Sequence, residues 1–357
     1  MNAEERCYLW LDSFALELSE KRALLKEAGG AVALVKDFLS VRPFFERTEK
    51  LALFEKMQRT LQDEGEYFSS VVHSLERSGV MPIPQPSPLY PKAWRAFSDA
   101  PLCVYAKGNA ELLKERFFVV VGSRRTPATA NKTATEIAKE LSEVFCVVTG
   151  TAGGGDAAAA QGALAGSGKL VLVHAGGLNT LPQGNSAVIE RTVKTGLVLS
   201  PYPMDTAVRA FSYEYRNKLL AALGEGVLVV GAGEKSGALI TAKYAEKSGK
   251  PIFALPYPPN AVYGAGCNGL IKRGGALTEN ASDIFLRLGI DVSKTEKSVP
   301  LNETEEKVYA ALKEANEAHV SELAATLGLP PFKVTTALSA LEVKGLAVSL
   351  GGNRYAV

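Results

Sequence analysis

With 357 residues, 46% of them hydrophobic, the chain has enough apolar material for two or three packed domains. It has no apolar run of membrane-spanning length, and its opening MNAEERCYLWLD carries acids where a secretory leader carries bases, so a cytoplasmic protein without a membrane partner is expected. The net charge of +2 is unevenly spread, with −3 over residues 1–80, +7 over residues 81–298 and −2 over residues 299–357, which favours a polyanionic ligand for the middle of the chain.

Cys7, Cys103, Cys146 and Cys267 are scattered, with no C-x-x-C pair and no histidine at ligand spacing. Buried reduced thiols are expected, with no metal and no cofactor. His174 ends an apolar run and reads as a structural histidine.

Residues 1–78 read as a small helical, SAM-like domain. Apolar residues recur at helical spacing in Cys7, Leu9, Trp10, Phe14 and Leu16, again from Ala31 to Leu39, and again from Leu51 to Leu61. No chemical motif appears there. Ser78 to Pro91 reads SGVMPIPQPSPLYP, a linker or an irregular edge before the next domain. A short strand is expected within residues 101–108.

Residues 79–290 read as a doubly wound α/β domain. Strands are expected at 117–121, 145–149, 169–174, 196–200, 226–230 and 251–255. Helices are expected at 127–142, 156–166, 185–194, 212–223, 236–248 and 281–288, which gives a Rossmann-like, mostly parallel sheet. Ligands bind such sheets over the carboxyl ends of their strands. The loops there are rich in glycine, proline, hydroxyl residues and asparagine.

The first of these turns follows Phe117–Val121 and reads Gly122-Ser-Arg-Arg-Thr-Pro127. Thr126 is expected to cap a helix, with Pro127 at its first position, where no N–H is needed. Backbone donors and the guanidinium groups of Arg124 and Arg125 would then meet a phosphate. The second turn, Gly150-Thr-Ala-Gly-Gly-Gly155, precedes Asp156, which reads as a helix cap. G-x-G-x-x-G is absent, and Thr149 rather than an acid ends the second strand, so a nicotinamide dehydrogenase is excluded.

Residues 289–300 read as a linker, and residues 299–357 as a winged-helix domain. Its helices are expected at 303–315, 321–327 and 331–344, and its wing is a hairpin from Leu346–Leu350 to Arg354–Val357. The third helix carries Lys333, Thr335, Thr336, Ser339 and Lys344 but no Arg, Asn or Gln for base edges, so protein contact and DNA contact stay equally open.

Five motifs recur in order: Val121-Gly-Ser-Arg-Arg125, Thr149-Gly-Thr-Ala-Gly-Gly-Gly-Asp156, Tyr215-Arg-Asn-Lys218, Ser236-Gly-Ala-Leu-Ile-Thr-Ala242 and Gly266-Cys-Asn-Gly-Leu-Ile271. On these the central domain resembles the DNA-processing protein A family, also called Smf or DprA, and the tail resembles the winged-helix domain of many members. The resemblance implies a single-stranded DNA-binding protein of natural transformation or recombination. Such a protein is not an enzyme, forms a homodimer and helps load the RecA recombinase. Carried over motif by motif, it implies DNA-binding roles for Gly122, Ser123, Arg124, Arg125, Gly150, Arg216, Asn217, Lys218, Ser236, Gly237 and Thr241. This chain departs from the family's pattern in two places. Gly153 and Gly155 stand where the family has Arg and Ile, and Leu181 stands where an aromatic residue precedes the third-loop proline. One cation and one stacking ring are thereby absent.

The rival reading is a nucleotide-binding enzyme such as a nucleoside-monophosphate phosphoribohydrolase, marked by P-G-G-x-G-T-x-x-E. The nearest stretch, Gly231-Ala-Gly-Glu-Lys-Ser-Gly237, lacks the proline and the Thr-x-x-Glu.

Overall fold

The computed structural model describes residues 1–291 and 301–357. Most of the expected linker at 289–300 lies outside the described residues. The chain forms two compact units, Met1–Ile290 and Asp291–Val357.

The first unit opens with helices α1 (Ala3–Asp12), α2 (Leu18–Ala28), α3 (Ala31–Lys36), α4 (Arg42–Arg47), α5 (Leu51–Gln62) and α6 (Glu64–Arg77). Asn2 and Glu5 form a reciprocal capping box on α1, and Gly29, at φ +79°, ends α2 in the left-handed region. The apolar faces meet in an aromatic core of Trp10, Phe14, Phe38, Phe45 and Phe54. Leu102, from outside the helices, belongs to the same core.

The proline-rich stretch enters the sheet. Strand β1 (Met81–Pro84) pairs antiparallel with β2 (Cys103–Gly108), from Met81 opposite Ala106 to Pro84 opposite Cys103. Pro82 and Pro84 are tolerated because β1 is an edge strand and needs partners on one side only. Between them, helix α7 (Lys92–Arg95) seats the fully buried Trp94, whose indole donates to the Leu219 carbonyl at 2.9 Å.

Regular alternation follows: β3 (Phe117–Gly122), α8 (Ala128–Val144), β4 (Cys146–Gly150), α9 (Gly155–Ala165), β5 (Leu170–Val173), α10 (Ser186–Thr195), β6 (Leu197–Ser200), α11 (Ala210–Leu223), β7 (Val227–Gly231), α12 (Ala238–Lys247), β8 (Ile252–Ala254), α13 (Ala265–Lys272), β9 (Ala276–Leu277) and α14 (Ala281–Arg287). Every expected strand and helix of this region is present within a few residues. Helix α13 is additional, because Gly266, Asn268 and Gly269 weaken the local helical signal. Tertiary burial of Cys267 and Leu270 holds it.

The nine strands run in the order β1-β2-β6-β5-β4-β3-β7-β8-β9. Pairs involving β1 and β2 are antiparallel and the rest are parallel. The parallel strands β3 to β8 are buried on both faces, which is why they read as unbroken apolar runs. From β3 the chain steps outward through β4, β5 and β6, then returns to β7 on the other side of β3. The sheet therefore has its topological switch between β3 and β7, where a crevice opens at the strand ends.

The second unit contains α15 (Glu303–Ala315), β10 (Glu317–His319), α16 (Val320–Leu327), α17 (Pro331–Val343), β11 (Val348–Gly351) and β12 (Arg354–Ala356). Its strands order as β10-β12-β11, and its core is Val308, Leu312, Leu323, Leu338 and Leu341. Positive φ at Gly351, Gly352 and Asn353 turns the wing hairpin. This is a winged-helix domain.

Candidate functional site

A cleft of about 1050 Å³ lies at the switch point. Gly122, ending β3, sits opposite Gly231, ending β7. A Cβ at Gly122 would fall 2.6 Å from the Val230 side chain and 2.7 Å from the Gly155 Cα, so only glycine lets the first turn lie this close to β7 and α9.

The first turn is tied down by its own backbone. The Gly122 N–H donates to Asp156 Oδ1 at 3.0 Å, Ser123 N–H to the Gly231 carbonyl at 2.8 Å, and Arg125 N–H to Ser123 Oγ at 2.9 Å. The Ser123 carbonyl accepts from Thr126 N–H at 3.2 Å and Gly155 N–H at 3.1 Å. These donors are taken, so they do not converge on a ligand as the sequence suggested. Thr126 is not the helix cap either. Its hydroxyl donates to the Ser123 carbonyl at 2.8 Å, and Pro127 holds the cap position. Of this turn, the Arg124 N–H and the exposed side chains of Arg124 and Arg125 are left to meet an anion. Arg124 Nη2 donates to the Tyr213 hydroxyl at 3.1 Å, and its guanidinium stands 5.6 Å from that ring's centroid.

Behind the turn lies a buried ion pair. Arg216, 4% exposed on α11, brings Nη1 to 3.7 Å from Asp156 Oδ2 and donates to the Val173 carbonyl at 3.3 Å. Asp156 is not the expected helix cap: Gly154 holds that position, and Asp156, inside the first turn of α9, joins the glycine turn to Arg216. Burial pushes its carboxyl above the usual range, opposed by the Arg216 charge and by the Gly122 and Ala152 amides. Burial likewise lowers the Arg216 pKa, with Asp156 opposing. Gly150 makes room for this pair: a Cβ there would stand 1.6 Å from Arg216 Nη1 and 2.3 Å from Asp156 Oδ2. The site-residue role of Gly150 is thus in packing, and it does not line the cleft. His174 is buried beside this network, its Nδ1 2.8 Å from Thr151 Oγ1 and its Nε2 3.1 Å from Thr180 Oγ1. Burial, then the Arg216 charge, lowers its pKa to about 4, so it is neutral near pH 7.

Asn217, Ser236, Gly237 and Thr241 also reach the cleft. Asn217 Nδ2 donates to the Gly237 carbonyl at 3.0 Å, which joins α11 to the entry of α12. Ser236 Oγ accepts from the Ala238 N–H at 3.3 Å, and Thr241 is fully buried with its hydroxyl unpartnered. Lys218 is not brought in. It pairs with Asp99 at 2.5 Å and lies 4.4 Å from the Phe97 ring centroid. One cation that the sequence did not single out, Lys235, is exposed at the cleft, with Glu234 beside it. The rings of Tyr213 and Tyr263 were missed too. Tyr213 had a signal, because it stands one helical turn before Arg216, whereas Tyr263 had none.

In the winged-helix unit, Thr335 and Thr336 bond back to the Pro331 and Phe332 carbonyls, and Lys344 pairs with Glu305 at 2.5 Å. Among the described residues, no group of three or more His, Cys, Asp or Glu side chains is placed to hold a metal. No described helix is long and apolar enough to cross a membrane.

Two family models match this chain: DNA recombination-mediator protein A over residues 83–289, and the DprA winged helix domain over residues 292–353. A DNA processing protein DprA of Bacillus subtilis is 32% identical over 221 residues, spanning 61% of this chain and 74% of that protein. The X-ray structure of DNA processing protein A from Streptococcus pneumoniae superposes with a TM-score of 0.57 at 27% identity, covering 76% of this chain and 98% of that one. DNA processing protein A from Helicobacter pylori, whose structure was described for its single-stranded DNA binding mode, gives a TM-score of 0.53 at 29% identity, covering 58% and 95%.

Proposed function

The chain belongs to the DNA recombination-mediator protein A family, and on that premise we propose that its switch-point cleft binds single-stranded DNA through Arg124 and Arg125. The observation that carries this reading is the pair of exposed guanidinium groups on a turn whose Gly122, Ser123, Arg125 and Thr126 amides are all bonded within the fold. A rigid turn presents both charges without reorganising, and Arg suits phosphate through bidentate bonding. Lys235 adds a third exposed cation at the cleft.

The two carboxylates in the cleft support binding rather than hydrolysis. Asp156 is engaged by Gly122 and Arg216, and Glu234 lacks the motif of the rival phosphoribohydrolases. On family grounds we extend the proposal to a cytoplasmic homodimer that delivers its strand to a RecA-type recombinase in transformation or general recombination. Anisotropy titrations of a labelled single strand and its duplex test the central reading. The single strand should bind more tightly, with an affinity that falls as salt rises. Equal binding of the duplex, or release of base from nucleoside monophosphates, would contradict it.

A further inference from the structure

We propose that Tyr263, propped on Tyr257, is a stacking platform for the base next to the phosphate held by Arg124 and Arg125. This inference rests on the single-strand reading above and names what the other wall of the cleft does.

The cleft, at about 1050 Å³, is far larger than one phosphate needs. Its lining changes character around the site. The β3 turn is cationic, whereas the wall from the β8–α13 connection is Pro259, Asn260, Ala261, Val262, Tyr263 and Ala265, with no charge. That wall offers no cation to a phosphate. It leaves Val262 81% and Tyr263 45% exposed, so the ring is open to a ligand in the cleft.

Tyr263 is not a loose surface ring. It meets Tyr257 edge-on, with centroids 5.7 Å apart and planes at 74°. Tyr257 is fixed at three points. Its hydroxyl donates to the Val230 carbonyl at 2.5 Å, its N–H to Asn268 Oδ1 at 3.0 Å, and its carbonyl accepts from Asn268 Nδ2 at 2.9 Å. Gly264 lies against this ring so closely that a Cβ would stand 2.0 Å from its Cγ. The Gly266 N–H, bonded to the Ala232 carbonyl at 2.8 Å, ties the end of the loop to the β7 strand end. The platform is therefore pre-organised, and little side-chain freedom is lost when a base lands on it. A cationic strip beside a flat aromatic wall matches the two parts of a nucleotide in an unpaired strand. A duplex hides its base faces.

Titrations of an oligothymidylate and an abasic strand of equal length test this with the full chain. Wild type should favour the base-bearing strand, and Tyr263→Ala should shrink that preference by roughly fivefold to 150-fold, the range for one base stacked on one ring. Tyr263→Phe should keep it, and Tyr263→Leu, which preserves apolar bulk but not the π face, should behave like alanine. An unchanged preference in Tyr263→Ala overturns the proposal. Equal wild-type binding of the two strands overturns it while leaving the phosphate reading intact, and failure to bind either strand removes both. Thymidine monophosphate should compete only at much higher concentration than the strand. Displacement at equal concentration would assign the platform to a free nucleotide instead.

Discussion

At the scale of single residues, the first turn of the cleft is held from behind by the Asp156–Arg216 pair. A buried charge left without its partner costs about 3–5 kcal/mol, so this pair holds the turn only as a unit. His174 sits against it as a neutral hydrogen-bonding ring, as its place in the apolar run implied. Its pKa is about 4 when folded and 6.5 when free, so the unfolded chain takes up the proton first as pH falls. Stability is then complete above 6.5 and declines as pH drops through the window to about 4, by up to about 3 kcal/mol. Urea midpoints measured across that window should fall in wild type and fall less steeply in His174→Gln. Identical slopes would show that burial does not depress this histidine. Gly150 was legible as a turn glycine, but not its purpose, because the arginine it accommodates lies 66 positions away in the chain.

At the scale of elements, strands and helices with strong periodicity were legible, and elements held by long-range packing were not. β1 was hidden by its prolines, which mean little on an edge strand. α13 was hidden by its glycines, one of which is required: a Cβ at Gly266 would fall 2.8 Å from the Gly233 carbonyl. The helical N-terminal part read as a separate body, yet its bonds run into the sheet. Tyr105 of β2 donates to Asp12 Oδ2 at 2.8 Å, Asp12 pairs with Lys21 at 2.9 Å, and Leu102 completes the aromatic core. Removing residues 1–78 would open Tyr105 and Leu102 to water. A chain beginning at residue 79 should therefore melt at least about 3 °C below the 1–290 chain, since losing the cover of one buried leucine costs about 1.5–3 kcal/mol, or about 2–4 °C per kcal/mol in a domain of this size. Equal melting temperatures by calorimetry would show that the helices do not support the sheet.

At the scale of the whole molecule, the charge pattern of the sequence and the cleft of the structure fall in the same part of the chain. The surplus of +7 falls on residues 81–298, and the cleft with its exposed cations lies there. The sequence could not show which cations reach the cleft. Lys218 is two positions from Arg216 on α11 but is held by Asp99 instead, because residues two apart on a helix face different directions. The proposed reading assigns strand binding to the first unit, which ends at Ile290, on the acidic balance of the winged-helix unit. The most direct measurement is a salt-dependent titration of a single strand with the 1–290 chain, wild type against Arg124→Ala/Arg125→Ala. The truncated wild type should retain most of the full chain's affinity. The double variant should bind roughly tenfold to several hundredfold more weakly, at about 1.5–3 kcal/mol for each charge-assisted bond removed. Its salt slope should flatten by about 0.7 for each phosphate no longer neutralised, with stability changed by no more than about 0.5 kcal/mol. A folded double variant with unchanged affinity and an unchanged slope would contradict the assignment of this cleft to single-stranded DNA.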